Sequence, residues 1–282
     1  MLKINRIFLF FATLFCCALT AQSQFRLSEG LYRIPYGNGT EVRVVTDGSN
    51  HDPLGCFDIV GKGGDGNYTI VAAAGGWIRA IRDNNNRNCH GSLPAPDNWC
   101  CGEFNNFIVL EHPNGEWSSY IHLAQNSITN LGHEIGDWVE VGAVLGMEGN
   151  VGCSTGPHLH LEISRPDDPN DLTPWADFDG VLRRDGELLN PVFCGTPSGT
   201  ITSGNTYTAG NCADNCPTNL TVSTASANDI RRADNVITST ATFNSSGIGV
   251  YRAGGAIELK AGFRATQGSR VTMQIRTCNE HN

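Results

Sequence analysis

Apolar residues along this chain recur in short runs broken by turn formers, not at helical spacing. Between Leu27 and about Cys194 the runs are Glu41–Val45, Thr69–Ala73, Trp77–Ile81, Phe107–Leu110, Ser118–His122, Trp138–Val141, Val144–Met147 and His158–Ile163. Gly63-Gly64-Asp65-Gly66-Asn67, Asn84-Asn85-Asn86 and Pro113-Asn114-Gly115 punctuate them. Closely spaced β-prone runs with no amphipathic helix between them predict an all-β chain, built as an antiparallel sheet or sandwich. The glycines from Gly61 to Gly66 form a turn in this reading, because no Gly-Lys-Ser/Thr ending and no helix pattern follow them. Residues 83–104 form a long Asn-rich insertion between two strands, and loops of that length are usually functional or disordered. A disulfide from Cys89 to Cys100 or Cys101 would tie it down.

The pattern changes after Cys194. Residues 196–220 are rich in Gly, Thr, Ser and Asn and read as a linker. From 221 to 282 β-like runs return, among them Ile237-Thr238-Ser239, Val250-Tyr251-Arg252 and Val271-Thr272-Met273-Gln274-Ile275, separated by glycine turns. Their spacing predicts a small stack of strands, solenoid-like in form. The expected organisation is therefore a leader (1–23), a main domain (24–195), a linker (196–220) and a C-terminal stack (221–282).

The leader follows from Lys3 and Arg6 before an apolar stretch, Ile7 to Leu19, and from Ala21-Gln22-Ser23 as a cleavage site. A membrane span needs about 20 apolar residues, and neither this stretch nor a later one supplies them. The chain is thus expected to be exported in soluble form, to the periplasm, the cell surface or the medium. Without the leader the net charge moves from −9 to −11, which argues against a nucleic-acid or anionic-membrane partner. Nine cysteines remain: Cys56, Cys89, Cys100, Cys101, Cys153, Cys194, Cys212, Cys216 and Cys278. In an exported protein they favour disulfides, with an odd one over. Cys212 and Cys216 are read as a structural pair because no second Cys/His pair follows at finger spacing.

Candidate chemistry centres on Cys153-Ser154-Thr155-Gly156-Pro157-His158-Leu159-His160-Leu161-Glu162-Ile163. In a strand His158 and His160 point to one face, and imidazole is both a common zinc ligand and a general base near neutral pH. Asp58, between Phe57 and Ile59 in a buried-looking strand, needs a partner, and a cation is a natural one. His122 in Tyr120-Ile121-His122-Leu123 is another polar residue in a β run, where Tyr120 and His122 would share a face.

These segments, in this order, resemble the lysostaphin/LytM-type zinc metallopeptidases, which cleave peptide bonds in bacterial cell walls. The resemblance runs from about Thr46 to Ile163. It includes the His51…Asp58 element, Val71-Ala72-Ala73-Ala74-Gly75-Gly76-Trp77-Ile78, Ile108-Val109-Leu110-Glu111-His112, Tyr120-Ile121-His122-Leu123, Gly136-Asp137-Trp138-Val139 with Val144-Leu145-Gly146, and Ser154-Thr155-Gly156-Pro157-His158-Leu159-His160. It implies one zinc per chain held by His51, Asp58 and His160, with His122 and His158 as catalytic imidazoles and peptidoglycan peptides as the substrate. The family spaces its first two ligands as His-x-x-x-Asp. Here they are seven apart and Leu54 stands in the usual histidine place, so Asp52 or a water is the alternative to His51. His112 matches a position that is usually structural, and His90 and His133 are read as surface or packing residues. Residues 83–104 would form one wall of the substrate groove. Two rival functions are a non-catalytic cell-wall-binding or amidase-activating relative, and a secreted protease of Gly-rich extracellular proteins. Residues 238–275 are similar to the small coat-hanger β-stacks of secreted Bacteroidetes proteins.

Overall fold

The computed structural model describes residues 25–52, 54–89, 102–168, 180–182, 186–196, 199–210, 217–225, 228–245 and 247–275. The described residues are nearly all β in their regular structure, 47% strand and 3% helix. Its strands are β1 (Leu27–Tyr32), β2 (Glu41–Thr46), β3 (Cys56–Gly61), β4 (Thr69–Val71), β5 (Gly76–Arg82), β6 (Phe107–Glu111), β7 (Trp117–Ile121), β8 (Trp138–Val139), β9 (Val144–Met147), β10 (Leu159–Pro166), β11 (Gly186–Leu188), β12 (Asn190–Phe193) and β13 (Thr206–Thr208). One sheet runs in the order β13-β2-β3-β10-β7-β6-β5-β8, antiparallel throughout, with β11 added to β10. Two further pairs, β4–β9 and β1–β12, lie outside it.

Alternation along the central strands sorts the side chains into two faces. Phe57 and Ile59, Ile108 and Leu110, Tyr120, and Leu159, Leu161 and Ile163 enter the large core with Ala72, Ala73, Ala74 and Leu145. The intervening residues point the other way. There, Ala80, Phe107, Val109, Trp117 and Ile121 pack under Val181 and Leu182 as a second, smaller cluster. On that same face, β3 and β10 present Cys56, Asp58, His160 and Glu162. The candidate site is thus built on the middle of the sheet, backed by the large core and flanked on its own face by the smaller cluster, whose burial is the main stabilising force at ~25 cal/mol per Å².

The segment expected to be a linker is partly sheet. Thr206–Thr208 forms β13 and pairs with β2, with Tyr207 opposite Val42, which caps an otherwise open edge. Its Thr-Tyr-Thr sequence is β-prone despite the polar surroundings.

Beyond it, strands at Asn219–Val222, Val236–Ser239 and Ala256–Leu259 pair in parallel, as do Asn228–Ala233, Ile248–Ala253 and Arg270–Ile275. Equivalent positions such as Ile230, Val250 and Thr272 stack in register, the geometry of a coiling β-stack. Val222, Ile237, Ala241, Phe243 and Tyr251 fill its interior. Val250 packs with Leu27, Leu31 and Val192, so the stack rests on β1 and β12. Among the described residues no helix is long and apolar enough to cross a membrane.

Candidate metal centre and active site

Asp58 and His160 face each other directly across the β3–β10 ladder. His160 Nδ1 is 3.1 Å from Asp58 Oδ1, and His158 Nε2 approaches the same oxygen at 3.4 Å. The other oxygen, Oδ2, accepts a hydrogen bond from Thr46 Oγ1 at 2.9 Å and lies 3.3 Å from His51 Nε2. His51, Asp58 and His160 offer three ligand atoms within 4.8 Å of one another.

His51 reaches this point because its loop folds back. Gly55 N–H bonds Gly48 O at 2.9 Å and closes the loop. Asp47 organises the turn, its backbone carbonyl accepting from Asn50 and His51 N–H and its carboxylate from Ser49 and Ser203 N–H. A closed loop of this kind absorbs the extra residues between His51 and Asp58. Asp52, the alternative ligand, is exposed, as is Leu54 in the usual histidine place.

His122 corrects an expectation. Simple alternation would put it on the face of Tyr120, whose hydroxyl instead accepts the Ala73 N–H in the core. His160 pairs with Ile121, so that face is the wrong one for the site. At His122 the backbone turns left-handed, φ 71°, the strand ends, and the ring swings to the site face. Its centroid lies 4.8 Å from that of His158 and 5.9 Å from that of His160. A non-glycine residue held in this conformation costs of order 1–3 kcal/mol and persists where its surroundings dictate it. Gly149 makes room for it here: a Cβ on it would come within 2.6 Å of His122 O, and its own carbonyl accepts the His158 N–H.

Both of these rings are oriented by backbone carbonyls. His122 Nδ1 is 2.9 Å from Val151 O and His158 Nδ1 is 2.8 Å from Gly156 O. A carbonyl can only accept, so each Nδ1 carries a hydrogen and each Nε2 is the nitrogen that exchanges protons. Burial, reinforced by the neighbouring His158 and His160 rings, pushes the His122 pKa well below the usual histidine value. Burial alone would raise the Asp58 pKa, but hydrogen bonds from His158, His160 and His51 outweigh it and hold the carboxylate ionised. For His160 the desolvation that lowers its pKa is overcome by Asp58, Cys56 and Glu162, so without a metal it favours the protonated form.

Glu162 is a residue the sequence reading did not single out. It is fully buried, takes His160 Nε2 at 2.9 Å on Oε1 and Leu182 N–H at 2.6 Å on Oε2. Its signal was present: a carboxylate two residues after His160 shares that face of an apolar strand, as Asp58 does in β3. A carboxylate behind a ligating imidazole fixes its tautomer and raises its basicity. Glu162→Gln is expected to weaken zinc affinity about 10- to 100-fold, measured by competition with a chromophoric chelator.

Glu148 is a second buried acid, fully enclosed, with Gly61 N–H on Oε1 at 3.4 Å and no partner for Oε2 among the described residues. Burial raises its pKa to about 7. The folded protein therefore binds more protons here than the unfolded chain, and the contribution is lost as pH rises from about 4.5 through about 7. Glu148→Gln, which stays neutral, should gain on the order of 2 kcal/mol over the wild type above pH 7 and nothing below pH 4. Chemical denaturation across pH reads this directly, and a gap that does not change with pH contradicts it.

The other histidines fall outside the site. His112 is buried in the core, bonded to Gly75 O and Ser118 Oγ, with its pKa lowered to about 4 by burial. His133 bonds Val144 O at the surface. His90, the Cys100, Cys101, Cys212 and Cys216 partners of the expected disulfides, and most of the expected groove wall lie outside the described residues. Cys56 is a free, buried thiol.

These features define a β-sheet domain with a three-residue His/Asp group that could hold a metal ion, flanked by two further imidazoles. Residues 58–172 match the sequence profile of Peptidase family M23. Over 58 residues the chain is 38% identical to an uncharacterized metalloprotease of Buchnera aphidicola subsp. Baizongia pistaciae, covering 21% of this chain and 14% of that protein. It is 36% identical, also over 58 residues, to the peptidoglycan DD-endopeptidase ShyA of Vibrio cholerae, covering 21% and 12% respectively. The chain thus aligns with less than a sixth of either relative. Among solved structures it is similar to pseudoalterin, a deep-sea M23 metalloprotease, at 23% identity and a TM-score of 0.34, covering 48% of this chain and 70% of that one.

Proposed function

We propose that this chain is an exported zinc metalloendopeptidase that hydrolyses peptide bonds in the stem peptides or cross-bridges of peptidoglycan. The observation that carries this reading is the convergence of His51, His158 and His160 on the two oxygens of Asp58, with the His122 ring tilted against that of His158. The M23 match and the ShyA similarity support the choice of reaction and substrate.

The donor set suits zinc. Two imidazoles and one carboxylate leave a fourth position open, as hydrolytic zinc sites require, and Glu162 backs the most buried ligand. Zinc in such a site supplies an acidified water and a Lewis acid for the peptide carbonyl. The chain's own groups do the rest. One of the two imidazoles, His122 or His158, accepts the proton from the attacking water at Nε2 and returns it to the departing amine. The other, protonated at Nε2, holds the negative charge that develops on the carbonyl oxygen. Thr46 and the β3–β10 ladder fix Asp58 so that the ligands need no rearrangement before reaction.

A leader at residues 1–23 and a net negative charge fit action outside the cytoplasm. The C-terminal stack, residues 221–282, is proposed as a coat-hanger-type module of a secreted Bacteroidetes protein. The retained site side chains speak against a non-catalytic wall-binding role. The long His51…Asp58 loop keeps one rival substrate in view, a Gly-rich extracellular protein such as elastin. Incubating the purified chain with sacculi and with elastin side by side separates them: peptide release from sacculi is expected, and release from elastin alone would overturn the substrate assignment.

A further inference from the structure

Strands β3 and β10 oppose two consecutive polar pairs on one face, Asp58 with His160 and Cys56 with Glu162. The first pair belongs to the proposed zinc site. In the second, Cys56 takes part in no step above, although its free thiol is fully buried. Cys56 Sγ is 3.3 Å from Glu162 Oε1, and the same oxygen is 2.9 Å from His160 Nε2. All three donor atoms lie within 4.8 Å of one another. Metal bonds of about 2.0–2.3 Å place neighbouring ligand atoms ~3–4 Å apart, so one ion can bind all three with small adjustments. Leu182 N–H pins the other carboxylate oxygen and leaves Oε1 turned to the thiol and the ring.

We propose that Cys56, Glu162 and His160 Nε2 form a second, buried site for a thiophilic divalent cation, on the opposite side of the His160 ring from Asp58. The sulfur ligand selects soft ions over magnesium or calcium. Binding balances as an exchange. His160 Nδ1 faces Asp58 Oδ1 at 3.1 Å and Nε2 faces Glu162 Oε1 at 2.9 Å, and because ionised carboxylates only accept, each ring nitrogen is the donor to its carboxylate when no ion is bound. The ion displaces the thiol proton and the Nε2 proton to solvent, while the Nδ1 proton stays on the ring, shared with Asp58. Two positive charges leave and two arrive, so the buried cluster keeps its net charge and no uncompensated charge is added to the interior. An ion bound this way keeps Nδ1 protonated, and Nδ1 is the nitrogen the zinc site needs. The two sites therefore compete for one imidazole, so an ion held at the thiol site opposes loading of the His51/Asp58 site. This inference goes beyond the peptidase reading and does not depend on which bond is cleaved.

The test is a cadmium titration of the metal-free full chain, read by thiolate-to-cadmium charge-transfer absorbance and by the cadmium-113 chemical shift. The wild type should develop the thiolate band with the first equivalent, and saturating zinc should suppress it. His51→Ala, which removes a proposed zinc ligand but none of these three, should keep the band, separating failure of this proposal from failure of the zinc-site reading. Cys56→Ala should lose the band, and Cys56→Ser serves if the alanine variant does not fold. A wild type without sulfur-bound cadmium, or an undiminished band in both Cys56 variants, overturns the proposal.

Discussion

His160→Ala is expected to reduce peptide hydrolysis to background and to abolish the rise in melting temperature that zinc gives the wild type. His160 supplies the most enclosed ligand of the proposed centre, at 3.1 Å from Asp58, and its other nitrogen engages Glu162. Alanine removes the ligand and leaves a fully buried carboxylate without its imidazole partner. Breaking a buried pair in this way costs about 3–5 kcal/mol, so the variant should also melt lower in the absence of metal. Zinc stabilises a folded protein in proportion to its affinity, by about 2.7 kcal/mol at a hundredfold excess over Kd, so thermal unfolding with and without zinc gives a sensitive readout. A zinc-dependent shift of wild-type size in His160→Ala would remove this residue from the ligand set.

His158→Ala and His122→Ala should behave differently: zinc stays bound while kcat falls roughly 10²- to 10⁴-fold, the range for losing a positioned proton-transfer group. Neither ring belongs to the three-residue ligand group. Their nitrogens are oriented by Gly156 O and Val151 O and not by the proposed ligands alone. His122 carries a second signature. Because its φ is 71°, glycine suits its backbone better than histidine or alanine does. His122→Gly is therefore expected to be as inactive as His122→Ala yet the more stable of the two. Full turnover in any of these variants, with zinc content unchanged, would refute the catalytic assignment.

What the sequence disclosed follows from physical regularities. The antiparallel sheet was legible because one side of each central strand enters the large core, so Leu159, Leu161 and Ile163 alternate with His160 and Glu162. Strands β1 and β12 were not marked out, since Leu27–Tyr32 and Asn190–Phe193 are buried without a clean alternation. The strand at Thr206–Thr208 was hidden in a polar segment whose composition resembles a linker. At the site, the His158-x-His160 spacing followed from strand geometry. His51 depended on family resemblance, because a loop closed through Gly48 and Gly55 erases the usual spacing. The side on which His122 projects could not be read at all, for it depends on one left-handed residue, His122 itself, beside which Gly149 passes closely.

The central claim is that this sheet holds a single hydrolytic zinc ion. Metal analysis of the full chain purified under zinc-replete conditions tests it most directly. One zinc per chain, retained through gel filtration and lost on treatment with a chelator together with activity, is the predicted result. A chain that emerges without zinc, or that cleaves sacculi equally well after complete metal removal, would contradict the account.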